Sequence, residues 1–411
     1  MNQAPPRAWV TLALAGAVFF LITAATFTSL GVVLPSMIAE LHWNWSEAGT
    51  GFALLGVFCG ITSYIPAWLI RRVGVRVTLV TGSLVMAVAF LCLAQTRGIY
   101  LYYFGSSLAG LGFTLLGVVP GTYLLARCFE RPSFAFGVYF TIGGLGGVAG
   151  PLTFLWILGA TGNWRNYWIA CGAAVTAISL LAAILVDVRT DLQGNPQFSE
   201  DQAVFRSSRV WTVANALRTP QFAILAAAYT CFLLCGITVN SISVAHLAEH
   251  GVAPALAGGM LSVEALINAV ARTCGGSVGD RIEPKRLLAL SLAALVIGIL
   301  ALTFASGLPL LITYAAGVGV GYGLTFFAST ILLLNYFGRT VNLELFSIVN
   351  LISTLASIGP LFAGWTRDGT GSFVPFLLAL TGCVVAVLCA VVVMRPPAED
   401  APERGFSTGP G

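Results

Sequence analysis

Charge is what this chain has least of. Of its 411 residues, 9% are Asp, Glu, Lys or Arg, whereas 57% are hydrophobic. A soluble domain carries about 25% charged residues, so most of this surface must face lipid, and the mean hydropathy of +0.90 agrees. That excludes a soluble enzyme. A Gly-x-x-x-x-Gly-Lys-Ser loop is also missing, which removes nucleotide drive and any expected cofactor. No metal is expected either. His246 and His250 flank Glu249 without a third clear ligand, and they read as part of a solvated loop, as does His42. The nine cysteines have no disulfide spacing. Cys231 and Cys235, one helical turn apart, read as small apolar packing residues. The net charge of +4 comes from arginines at the ends of apolar runs, so nucleic acid is not an expected partner.

What the chain does have is long, unbroken apolar sequence. A bilayer core about 30 Å thick is crossed by roughly 20 residues of helix. Stretches such as Val77 to Ala94 and Leu287 to Phe304 are continuous, where β-barrel strands would alternate. Twelve spanning helices are predicted, at 9–35, 47–70, 77–95, 99–126, 133–159, 166–187, 221–245, 253–279, 286–305, 308–336, 342–365 and 373–394. The first run is too long for the core of a signal peptide and is read as retained. A polar stretch after Asp187 divides six helices from six. The expected organisation is an all-α membrane protein with a six-helix bundle over 1–187, a linker over 188–220, a second bundle over 221–394 and a disordered tail over 395–411. Two such halves suggest an internal repeat.

Sixteen of the 20 Lys and Arg residues fall on one side of this topology, only Arg97, Arg165 and Arg367 on the other, and Arg272 lies inside a span. The crowded side is expected to be cytoplasmic. Both termini and the linker then lie inside, in a bacterial inner membrane, with the chain a monomer.

The second span ends in Arg71-Arg72-Val73-Gly74-Val75-Arg76, and the eighth in Gly276-Ser277-Val278-Gly279-Asp280-Arg281. Both resemble the Gly-x-x-x-Asp-Arg-x-Gly-Arg-Lys loop of the major facilitator superfamily. The first copy has Ala67 and Arg71 where the pattern has Gly and Asp. The Gly137, Gly146 and Gly150-Pro151 series is similar to that superfamily's fifth helix. The resemblance implies two pseudo-symmetric six-helix bundles that rock about a central site. It also implies a cytoplasmic gate at Arg72, Gly74, Arg76, Gly276, Asp280 and Arg281.

A narrower resemblance rests on Ile267-Asn268-Ala269-Val270-Ala271-Arg272, and on Leu217-Arg218-Thr219-Pro220-Gln221-Phe222 before the seventh span. Both look like the monocarboxylate porters and oxalate:formate antiporters. The resemblance implies that Arg272 binds a substrate carboxylate. Asn268 stands where many of those porters have Asp, and Asn350 where the oxalate:formate antiporters have Lys.

On physical grounds Arg272 stands out without the resemblance. A charge at a helix centre costs roughly 2.5–3.5 kcal/mol on insertion scales and faces a cavity or a partner. Its planar fork suits a carboxylate, although a structural ion pair would also explain it. Glu264 is the one acid deep in a span, and 264, 268 and 272 share a helical face. Glu264 either takes up a proton to couple transport or pairs permanently with a polar neighbour. Tyr322, within a Gly-rich run, and Tyr139, Tyr229 and Asn240 complete the candidates. Each of these four also reads as a packing or helix-bonding residue. The expected activity is secondary transport of a small organic anion, most simply a monocarboxylate, by proton symport or anion exchange. The rival is a transporter of drugs or neutral solutes with Glu264 as coupling acid and Arg272 structural.

Overall fold

A computed structural model describes residues 6–129, 132–186, 211–279 and 282–397, and every regular element among them is helical. Eleven helices are long and apolar enough to cross a membrane. A twelfth crossing is the pair Trp45–Ile61 and Ile65–Val73, bent by 49°. The first span is Pro6–Ala25 continued by Phe27–Leu41, and the bent pair is the second. The third is Val75–Ala94, and the fourth is Ile99–Leu116 with Val118–Cys128. The fifth and sixth are Pro132–Thr161 and Arg165–Leu185. The second half repeats the order with Pro220–Glu249, Pro254–Gly279, Pro284–Thr303 and Leu308–Phe337. The eleventh span is Arg339–Ser353, a 3-10 turn over Thr354–Ile358, and Gly359–Thr370, and the twelfth is Val374–Val393.

The predicted spans are therefore present, with informative differences. The first runs past Pro35, where the sequence reading ended it, to His42 in the left-handed conformation at φ 55°. Its break falls earlier, at Thr26, where the Thr26 hydroxyl donates to the Ile22 carbonyl at 2.7 Å and Ser29 donates to that of Ala24. Side-chain donors of this kind satisfy backbone freed inside a membrane. The seventh span runs a turn further than expected and takes His246 and Glu249 into the helix. Most of the expected linker and tail lies outside the described residues. Within the linker only a short helix, Val213–Leu217, is seen, capped by the Thr212 side chain.

We call the face carrying Arg72, Arg76 and Arg127 the arginine face and the opposite one the sparse face. Exposed Trp9, Tyr64 and Trp68 lie near the arginine face, and exposed Tyr100, Trp156 and Trp365 near the sparse face. Such rings favour the two membrane–water interfaces. On the sparse face Arg165 bonds Glu40 at 2.5 Å and Arg367 bonds Glu249 at 2.6 Å, so each arginine ties spans of its own half together.

The two halves meet from the sparse face to mid-membrane. Methyl groups added at Gly31 and Gly49 would meet the backbones of Asn240 and Pro360. At Gly56 and Gly60 they would meet the side chains of Ser357 and Thr354. The fifth span lies on the eighth, with positions for Cβ at Gly144 and Gly147 only 3.2 and 3.3 Å from the Cβ atoms of Ala269 and Ala265. Beyond Gly60 and Gly144 the halves separate. Ile65–Val73 and Val118–Cys128 pack chiefly within their own bundle, and Arg339–Ser353 barely touches the second span. The molecule is thus closed at the sparse face and parted toward the arginine face.

One polar contact reinforces that closure. Asp368 accepts the backbone N–H groups of Trp45 at 3.0 Å and Ser46 at 2.8 Å. The first N–H groups of a helix have no partner within it, and a carboxylate there also suits the helix dipole. The eleventh span therefore caps the second across the bundle boundary. Asp368→Ala is expected to weaken closure by about 0.5–2 kcal/mol, the usual worth of an N-cap. Spin labels at the sparse-face ends of the second and eleventh spans would report this as a larger long-distance population.

Candidate functional site

Arg272 lies eighteen residues into the eighth span, just on the arginine-face side of the Gly144–Ala269 contact. Glycines put it there. In the tenth span, Gly319 and Gly323 face the eighth, where added Cβ atoms would lie 2.7 Å from the Glu264 carbonyl and 2.8 Å from the Asn268 carbonyl. Gly317 and Gly321 face the ninth span instead. The tenth helix is therefore pressed close on both sides, as its Gly-rich run predicts. Gly236 of the seventh span leaves room for the ring of Tyr322.

This packing assembles a basin from four spans. The Arg272 Nε donates to Asn268 Oδ1 at 2.9 Å. Its guanidinium sits over the rings of Tyr322 and Phe326, 5.2 and 5.1 Å from their centroids. Phe232 meets Tyr322 edge-on at 5.0 Å and Tyr229 at 4.9 Å. The Tyr229 hydroxyl donates to Asn350 Oδ1 at 3.3 Å, and Asn350 Nδ2 donates to the Phe346 carbonyl at 2.9 Å. A small cleft opens beside Tyr229, lined also by Ser329, Thr330, Phe346 and Val349. Among the described residues Arg272 makes no salt bridge. Its guanidinium is also within hydrogen-bonding reach of the Tyr322 hydroxyl.

Five candidates named from the sequence thus converge: Arg272, Asn268, Tyr322, Tyr229 and Asn350. Two stand apart. Tyr139 is buried in the first half, stacked on Phe19 at 4.8 Å, with its hydroxyl donating to the Gly117 carbonyl at 3.0 Å. Asn240 lies at the contact of the first and seventh spans beside Gly31. Sequence reasoning missed Phe232, Phe326 and Phe346. Phe232 and Phe326 follow Tyr229 and Tyr322 by one helical turn, a spacing that places them on the same faces.

Glu264 is buried at 4% exposure and, among the described residues, makes no salt bridge. It lies two turns from Arg272, about 12 Å along the axis. The expected polar seam is therefore joined only at its Asn268–Arg272 end. His246 corrects another expectation. It is fully buried, with Nε2 3.0 Å from the Leu302 carbonyl, and is not part of a solvated loop. Its place one turn inside the lengthened seventh helix is the reason.

Of the expected gate, Arg76 donates through Nε and Nη2 to the Val186 carbonyl at 3.0 and 2.8 Å, tying the loop after the second span to the end of the sixth. Arg72 lies 5.4 Å from the Trp68 ring centre. Gly74 turns the chain at φ 88°, a conformation that favours glycine. Gly276 lies in the last turn of the eighth span, which ends at Gly279 on this face, and Asp280 and Arg281 lie outside the described residues.

Twelve helical crossings among the described residues, sealed on one face and parted on the other around a half-buried cation, have the architecture of a membrane transporter. The chain belongs to the Major Facilitator Superfamily, whose family model matches residues 15–245 and 225–410. Solved structures of the same fold include a point mutant of the nucleoside transporter NupG, with a TM-score of 0.74 at 13% identity over 94% of this chain and 99% of that one. Another is a bacterial homologue of the human lysosomal transporter Spinster in an inward-facing, unoccupied conformation. Its TM-score is 0.65 at 16% identity over 95% of this chain and 96% of that one. No curated protein matches the chain.

Proposed function

We propose that this transporter moves a small organic anion, most simply a monocarboxylate, by secondary transport. The observation that carries this reading is Arg272. Its guanidinium is fixed at Nε by Asn268, lies against the rings of Tyr322 and Phe326, and sits on the side of the molecule that is parted. One such cation suits one carboxylate held by two parallel hydrogen bonds. Tyr322, Tyr229 and Asn350 supply further hydroxyl and amide groups at the rim. We place the arginine face in the cytoplasm of a bacterial plasma membrane, with both termini inside, on the strength of the positive-inside rule. The chain acts as a monomer, with proton symport or anion exchange as the drive.

A specific observation favours a second reading. Arg272 is already partly satisfied by Asn268 and two ring faces, which a structural role would also require. The solute is then neutral or cationic, Glu264 is the coupling acid, and the aromatic rings do the binding.

A thermal-shift screen of the purified protein against monocarboxylates, dicarboxylates, nucleosides, sugars and cationic drugs separates the two. A ligand at 100 times its Kd should stabilise the fold by about 2.7 kcal/mol. Stabilisation by monocarboxylates that is lost in Arg272→Ala is expected. Stabilisation by neutral or cationic solutes that survives in Arg272→Ala would move Arg272 to the structural role.

A further inference from the structure

Outward of the Arg272 basin the same helices repeat its layout. Tyr314 precedes Tyr322 by the same eight residues that separate Glu264 from Arg272. Glu264 lies about 12 Å nearer the sparse face than Arg272, and Tyr314, five residues before the Gly319 that meets the Glu264 carbonyl, lies about a turn further that way. Ser243, seven residues beyond Gly236 on the seventh span, reaches this level too, because Gly236 lies against Tyr322.

The upper tier is deeply buried. Tyr314 and Ser243 are completely buried, and their hydroxyls lie side by side with no partner beyond one another. Glu264 is within electrostatic reach of Tyr314. One turn further along the seventh span is His246, also completely buried. Its Nε2–H donates to the Leu302 carbonyl, which leaves Nδ1 as a lone pair with no donor. The His246 ring lies 4.3 Å from that of exposed His250 at the sparse face. Buried polar atoms left without partners are costly. Here three of them, on two helices beside a buried carboxyl group, line one path.

We propose that Glu264 is a proton-binding site supplied from the sparse face through His246, Ser243 and Tyr314, along a route inside the second bundle that is separate from the substrate's. A proton from solvent passes by way of His250 to His246 Nδ1. His246 gives it up to the Ser243 and Tyr314 hydroxyls, each of which accepts one proton and releases its own. The last proton forms an O–H bond on a Glu264 carboxylate oxygen, so the hydroxyls end neutral. The other titratable groups that reach Glu264 are Arg272 on its own helix and Tyr322 on the tenth span, the latter in turn beside Tyr229 and Cys235 of the seventh. The fifth span presents Gly144 and Gly147 to the neighbouring Ala269 and Ala265. The inference rests on Glu264 being the coupling acid, as the second reading has it and as the first allows where its drive is proton symport.

The test uses the full chain in lipid nanodiscs with no solute added. Difference infrared spectra between acid and alkaline buffer should show a protonated-carboxyl C=O band that is lost in Glu264→Gln. The band should shift in Tyr314→Phe, a change that keeps the ring. After a rapid pH step it should rise more slowly in Ser243→Ala and His246→Phe. A band unchanged in Glu264→Gln would overturn the site. A band lost in Glu264→Gln that neither shifts nor slows in the other three variants would overturn the route. No carboxylate solute is present, so either failure leaves the Arg272 reading standing, and failure of that reading leaves the infrared result untouched.

Discussion

Arg272→Ala is expected to abolish substrate-induced stabilisation and to cut the initial uptake rate by roughly thirtyfold to a few thousandfold. Truncating one partner of a desolvated, hydrogen-bonded charge pair costs about 2–5 kcal/mol, and each 1.4 kcal/mol is tenfold. The structural reading predicts a different balance. There Arg272 contributes the Asn268 bond and two ring contacts, worth about 1–2 kcal/mol of fold stability, and its loss lowers Tm with little effect on flux per folded molecule. Measuring Tm without ligand and uptake with ligand on one preparation therefore separates the two. Arg272→Lys sharpens the test. Lys keeps the charge but has no Nε to hold Asn268 Oδ1 and no planar fork to offer two parallel donors. Uptake is expected to fall at least about tenfold, to the level a single lost charge-assisted bond implies. Near-normal uptake by the Lys variant would sink the bidentate picture.

Why was Arg272 legible in the sequence while its surroundings were not? A cation amid apolar residues violates the local pattern so strongly that position alone identifies it, and the membrane supplies the physical reason. The spans were legible on the same grounds, because a helix in lipid must be long and apolar throughout. The aromatic rings of the basin carry no such signal. Phe232, Phe326 and Phe346 look like any lipid-facing Phe until the packing of the seventh, tenth and eleventh spans turns them inward. Breaks within spans were hidden for a related reason. At Thr26, Gly117 and Thr354–Ile358 the hydropathy stays high while the backbone changes direction. Asp368 and Glu40 were overlooked because residues at helix ends read as solvated. Their partners, the second helix's N-terminus and the Trp164–Arg165 corner, come from distant sequence.

The glycines at the bundle boundary carry the second large effect. Gly31 and Gly49 allow the first and second spans to touch the backbones of Asn240 and Pro360. Valine at either position has no flexible neighbour to push aside, so the helices must part. Overpacking of this kind costs about 1–3 kcal/mol, but here the cost falls only on the state closed at the sparse face. The alternate state, with the halves separated on that side, relieves it. Each substitution should therefore move the equilibrium by roughly fivefold to 150-fold. Gly31 and Gly49 lie on different helix pairs, so their effects should roughly add. The pair together approaches the about 5.5 kcal/mol that inverts a 99:1 population. Thr28, buried beside Gly147, is the reporter. In a cysteine-free background, Thr28→Cys should react with a membrane-impermeant maleimide from the sparse face only when Gly31→Val and Gly49→Val are present, and uptake should stop while the protein remains folded. Gly146→Val is the control, because Gly146 meets the Phe20 and Ala24 backbone within its own bundle. That strain is present in both states, so it should lower Tm without exposing the reporter. If all three valine variants exposed it equally, the boundary glycines would have no special part in closing the molecule.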